Sequence, residues 1–153
     1  MSQPEPEPEP VIVTVIGIPV LEVDEEKLMY FEFEKLDVYN VTLDFVAAAD
    51  DVAESLPKGR RYLKDQLRRG ANSIAANLAE GVGEYAPAEK VRFYRISRRS
   101  AVECASHLLA CRRLALVEDA LIATGLDQLL RIVAMQTSMI RSISTKARET
   151  RQR

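Results

Sequence analysis

From residue 36 onward, apolar side chains recur every three or four positions, and the pattern breaks only where proline or glycine clusters. That spacing describes amphipathic helices, each with one stripe to bury, and leaves little room for any other fold. In the first segment Val38, Val41, Phe45, Ala48 and Val52 form the stripe, widened by Tyr39, Leu43, Val46 and Ala53, and Pro57-Lys58-Gly59 stops it. A second segment carries Leu63, Leu67, Ala71, Ile74 and Leu78, with Gly81 and Gly83 expected to end it. Pro87 suits the first turn of a third helix, where its missing N–H is no loss. This helix is expected to run to about Leu114 with Val91, Tyr94, Val102, Ala105, Leu108 and Leu109 on its buried side. The fourth keeps a near-heptad of Ile122, Leu126, Leu129, Val133, Gln136, Ile140 and Ile143, with Gly125 a weak point and Met135 and Met139 core filler. Short connections make sequential helices antiparallel, so the expected fold is all-α, an up-down-up-down four-helix bundle over residues 35–147.

What precedes the bundle differs in kind. Residues 1–10 alternate proline and glutamate and have nothing to bury, which predicts a disordered, extended tail. Residues 11–34 form an arm. Its β-branched stretch 11–23, interrupted by Gly17 and Pro19, is expected to make one or two short strands or an extended docking segment, followed by an acidic connector. That stretch lies against its own domain or pairs with a neighbouring subunit or another protein. Residues 148–153 read as a basic C-terminal tail.

The formal net charge of −2 over 153 residues conceals this division. Residues 1–36 hold nine acids against two lysines, and the remaining residues hold 19 bases against 14 acids. An acidic arm on a basic body keeps nucleic acid in play, with the arm expected to compete electrostatically for the basic face. No apolar run approaches the length of a membrane span, and two cysteines make no disulfide framework, so a cytoplasmic setting is expected.

Three constellations are candidates for chemistry. Arg60, Arg61, Lys64 and Arg68 on helix two, and Arg92, Arg95 and Arg99 on helix three, form basic rows that could hold RNA or DNA phosphates. Tyr62, Tyr85 and Tyr94 lie among them for stacking, while Asp65, Glu84 and Glu89 are expected to neutralise part of the charge. Arg69, Ser73, Asn77, Glu80, Ser100 and Glu103 are expected to form a structural polar network that fixes helix register or seals a subunit interface. Cys104, His107 and Cys111 share one helical face, yet a structural zinc site usually draws paired cysteines from loops, so packing is the better reading and no metal or cofactor is expected. No nucleophile–base pair or glycine-rich phosphate loop accompanies these groups, and the chain reads as non-enzymatic.

The run Gln66-Leu-Arg-Arg-Gly-Ala-Asn-Ser-Ile-Ala-Ala-Asn-Leu-Ala-Glu-Gly81 resembles a signature of bacterial four-helix-bundle proteins encoded in intervening sequences of 23S ribosomal RNA genes. Residues 33–39 resemble that family's opening, and residues 93–103 its third helix. Ala75 stands where the family usually has proline and Arg99 where it usually has glycine, which is expected to straighten helix two and alter close packing on helix three. The resemblance implies a homopentamer and kinship with the accessory protein of diversity-generating retroelements, which binds a reverse transcriptase and nucleic acid. It implies no catalytic activity. The function expected is therefore a homo-oligomeric bundle that binds RNA or DNA through the arginine-rich faces of helices two and three. The rival is an interaction module whose arm docks a partner protein or neighbouring subunit.

Overall fold

A computed structural model of the chain describes residues 14–15, 18–19 and 31–152. It divides into two units, with the boundary between Phe31 and Glu32. In the first unit, β1 (Thr14–Val15) pairs antiparallel with β2 (Ile18–Pro19), Thr14 opposite Pro19 and Val15 opposite Ile18. The expectation of short strands is met there. The Pro/Glu tail and the rest of the arm up to residue 30 lie outside the described residues.

The second unit begins with a 3-10 turn, Glu32–Lys35, followed by α1 (Asp37–Ser55), α2 (Arg61–Gly83), α3 (Pro87–Arg113) and α4 (Asp119–Arg151). The bundle unit thus starts three residues before the expected boundary, and Asn40 donates from Nδ2 to the carbonyls of Glu34 and Leu36 at 3.1 and 3.3 Å. It also continues beyond residue 147, since α4 extends to Arg151. Connections at 56–60, 84–86 and 114–118 are short, so consecutive helices run antiparallel. Each of α1 and α3 packs on both α2 and α4, and α1 and α3 do not meet. They are the diagonal pair, and their outer faces look to opposite sides. The fold is an all-α four-helix bundle.

The core is built as the periodicity predicts along α1, α2 and α4, with Phe45, Leu67, Ile74, Leu78, Ile122 and Leu129 buried. Burial of such side chains, at about 25 cal/mol per Å² of apolar surface, is what holds the helices together. Three details depart from expectation. α2 ends at Gly83 as expected, but Gly81 lies inside the helix, buried, where a Cβ would come within 2.5 Å of the Tyr94 ring. Glycine is needed there for the close approach of α2 and α3. On α3, Val102 and Leu109 are 55% and 51% exposed, and the buried row is Val91, Tyr94, Ser97, Ala101, Cys104, Leu108 and Cys111. Residues 102 and 109 sit at helical spacing from one another but on the outer side, and alanine, serine and cysteine occupy the inner positions that apolarity alone would not select. Leu43, expected on the α1 stripe, is also exposed.

The α3–α4 junction accounts for how α3 ends. The Leu116 N–H reaches the Cys111 carbonyl and the Ala115 N–H the Arg112 carbonyl, each at 3.0 Å, the paired bonds of a Schellman cap. Ala115 takes the left-handed position at φ 49° that glycine usually fills. Among the described residues no helix is long and apolar enough to cross a membrane.

Candidate nucleic-acid interface

The basic residues of α2 and α3 have different surroundings. Arg68 projects from α2 onto α1, donating from Nε to Asp50 Oδ1 at 2.6 Å and from Nη2 to Glu54 Oε1. Lys64 lies 3.4 Å from the other oxygen of Glu54. Hydrogen bonds from Arg68 and then Lys64 hold the Glu54 carboxyl below its ordinary value, and the Arg68 guanidinium is raised in return by Glu54 and Asp50. The sequence reading placed Lys64 and Arg68 with the nucleic-acid ligands; the structure gives them counter-ions on the neighbouring helix. Arg61 meets Asp65 only loosely, at 3.9 Å. Lys58 and Arg60 have no ion-pair partner among the described residues. With Arg61, Lys64 and Arg68 they line a depression of about 440 Å³ at the α1–α2 corner, where Gly59 turns the chain at φ 90°. Arg60 occupies the N-cap of α2 without capping it by its side chain, so the first-turn N–H groups and the positive helix end face the same corner.

On α3, Arg92 pairs with Glu89 at 3.0 Å and sits 5.0 Å from the centre of the Phe93 ring. Arg95 and Arg99 are exposed and have no ion pair among the described residues. These three, with Ala88, Glu89 and Ile96, line a shallow depression of about 410 Å³. Of the expected counter-ions, Asp65 and Glu89 are used and Glu84 makes no ion pair among the described residues; Asp50 and Glu54 were missed. Their signal was present, since Asp50 and Glu54 are one turn apart on α1, but only the helix pairing says which bases they face. Tyr62 and Tyr85 are exposed, whereas Tyr94 is buried against Gly81, with its hydroxyl pKa raised by burial, and offers no stacking face.

The polar network is smaller than expected and shifted inward. Ser73 and Ser100 join α2 to α3 at 2.9 Å between hydroxyls, and Asn77 donates to the Ser73 carbonyl at 2.8 Å and its hydroxyl at 3.2 Å. Arg69, Glu80 and Glu103 are exposed and do not join it. The buried part runs through residues the sequence did not single out for it. Gln136 donates from Nε2 to Ser97 Oγ at 2.6 Å, and Ser97 donates to the Ile74 carbonyl at 2.8 Å, so one chain of bonds ties α4 to α3 to α2. Gln136 Oε1 is buried with no hydrogen-bond partner among the described residues. Arg98 completes the α3–α4 contacts, reaching Thr137 Oγ1 at 3.2 Å.

Cys104 and Cys111 are fully buried. Burial, with the Glu103 charge adding to it, pushes the Cys104 thiol up to about 12; burial also raises Cys111, opposed by the charge of Arg60. Cys104 fills the space at Gly70, where a Cβ would approach its Sγ to 2.4 Å. His107 Nε2 is 3.8 Å from Glu103 Oε1, and among the described residues no three metal-ligating side chains converge.

A four-helix body with this α2 signature at the α2–α3 seam defines the class of protein. The family model of the 23S rRNA-intervening sequence protein matches residues 34–138, and the chain belongs to that family. Among solved structures it is similar to a protein of unknown function from the S23 ribosomal protein family of Bacteroides thetaiotaomicron VPI-5482. The two are 19% identical with a TM-score of 0.63, over 68% of this chain and 95% of that one, a likeness of fold. No match was found among curated proteins.

The departures from the family pattern have simple consequences. α2 is one uninterrupted helix through Ala75. Arg99 lies on the outer face of α3, so it does not alter packing between the helices of the bundle.

Proposed function

We propose that the chain is a non-enzymatic bundle that assembles with copies of itself, in keeping with the homopentamer its family resemblance implies, and holds RNA or DNA at the α1–α2 corner. The observation that carries the reading is the depression lined by Lys58, Arg60, Arg61, Lys64 and Arg68, in which Lys58 and Arg60 have no counter-ion among the described residues and the open end of α2 points the same way. Cations that the fold does not neutralise attract phosphate, and a helix N-terminus adds backbone donors to them. Repetition around an assembly multiplies a weak site into useful avidity. The α3 arginines, expected to share this role, have Val102 and Leu109 on the same face, and aliphatic side chains gain nothing from phosphate. The polar groups inside the bundle are engaged in joining helices, which supports a binding role over catalysis.

The test is a titration of the full chain with a labelled RNA hairpin at two salt concentrations, repeated with Lys58→Ala/Arg60→Ala/Arg61→Ala. Affinity should fall steeply with salt in the native chain. Each phosphate contact removed should flatten the log–log slope by about 0.9, so the triple variant should lose roughly two to three units. Salt-insensitive binding, or an unchanged slope in the variant, would contradict the site.

A further inference from the structure

The outer surfaces of the diagonal helices carry rows of opposite charge. On α3, Arg92, Arg95, Arg99, Val102, Ser106, Leu109 and Arg113 step by alternating threes and fours, and every one is exposed. On α1, Asp37, Asn40, Asp44, Ala47, Asp51 and Glu54 step the same way, also all exposed. Asp37, Asp44 and Asp51 make no ion pair among the described residues, nor do Arg95, Arg99 and Arg113. The three aspartates recur every seven residues, as do Arg92 and Arg99, and Arg113 stands fourteen beyond Arg99. Such a spacing is what a helix presents to another helix along a continuous seam, and it keeps the facing residues in step over about 25–30 Å.

We propose that the outer face of α3 docks on the outer face of α1 of a second copy, head to tail. This inference rests on the assembly part of the function proposed above and not on its nucleic-acid part. The occupant follows from complementarity: the basic row needs an acidic helical partner, and the same chain supplies one on its opposite side. Arginine beside exposed aliphatic side chains is also the composition of a protein interface core. Exposed ion pairs contribute little singly, so the charge rows select partner and register, while Val102 and Leu109 supply apolar area. They have a receiving surface, because beside the acidic row Leu43, Val46, Ala47, Ala71 and Asn72, with the Asp50–Arg68 ion pair at its edge, line a depression of about 380 Å³. Since the two faces belong to diagonal helices, one copy binds a neighbour through α3 and another through α1. A contact of two different patches propagates, and it closes into a ring when the rotation between copies divides the circle.

The experiment uses the full chain and two charge reversals, Arg95→Glu/Arg99→Glu on α3 and Asp44→Lys/Asp51→Lys on α1, with mass in solution and helicity by circular dichroism as readouts. All four residues are surface positions, so helicity should be unchanged. The native chain should assemble, and each variant alone should associate at least tenfold more weakly. Combined in one chain, the two reversals should restore association, because reversed α1 then meets reversed α3 at every contact and a ring of any number can close. A native assembly that survives either reversal, or a combined variant that stays dissociated, overturns the docking surface and leaves the nucleic-acid site untouched. A native chain that is monomeric removes the assembly itself. If the α3 reversal abolishes RNA binding without changing the mass, the arginine row belongs to nucleic acid and the proposal falls.

Discussion

The two faces of α3 have the same spacing and opposite fates. Tyr94, Ser97, Ala101, Cys104, Leu108 and Cys111 step by threes and fours along the inside, and the rest of the chain covers every one of them. Arg92 through Arg113 step the same way along the outside, where α1, the diagonal helix, cannot reach. The inner row sets small serine, alanine and cysteine between Tyr94 and Leu108, and Gly70 and Gly81 of α2 make room for Cys104 and Tyr94; the outer row mixes arginine with valine and leucine. A helix at the surface of a bundle needs one seam. A second, regular seam that the described residues leave bare is the surface on which the proposed contact between copies rests.

Truncations that separate the two faces sharpen this contrast. Leu108→Ala on the inside should cost about 2–5 kcal/mol, the range for a fully buried leucine, whereas Leu109→Ala one residue away should change monomer stability by less than about 0.5 kcal/mol. Denaturant unfolding of both variants checks the pair, and equal losses would mean the face assignment is wrong. Ser97→Ala removes the link between Gln136 and the Ile74 carbonyl, leaving buried groups without partners, and should cost about 1–3 kcal/mol by the same measurement. At the end of α3, Ala115→Gly relieves a left-handed alanine and should raise stability by about 0.5–1 kcal/mol; a lower melting temperature would contradict the Schellman cap.

The smallest effect concerns the paired bases of α2. Glu54 has its carboxyl pKa lowered by Arg68 and Lys64, so its contribution is present above the unfolded carboxylate pKa and is lost as pH falls through the folded value. Arg68→Gln should therefore weaken the chain modestly at neutral pH and leave the difference from native smaller in acid. Urea midpoints at pH 7 and below pH 4 measure it, and a difference that grows in acid would reverse the sign.

The bundle was legible because three of its helices carry stripes of large apolar residues whose period admits one reading. The inner face of α3 was legible in part: Val91, Tyr94, Leu108 and the two cysteines are buried as read, but Ser97 and Ala101 are there for their small size, a property set by how near α2 approaches at Gly70 and Gly81. Valine and leucine at 102 and 109 then drew the stripe to the wrong side. The basic rows were legible as charge and illegible as function. The spacing of Arg60, Lys64 and Arg68 resembles that of Arg92, Arg95 and Arg99, and the position of α1 is what gives Lys64 and Arg68 counter-ions from another helix. Gln136 was read correctly as buried, and its bond to Ser97 followed only from the α3–α4 register.

The outer seam of α3 as a contact between copies is the central claim, and the mass of the intact chain in solution tests it most directly. The account predicts a native species several times the 17.2 kDa of one chain, 17.2 kDa for Arg95→Glu/Arg99→Glu, and recovery of the larger mass when Asp44→Lys/Asp51→Lys is built into that same chain. The same large mass before and after the α3 reversal would contradict it.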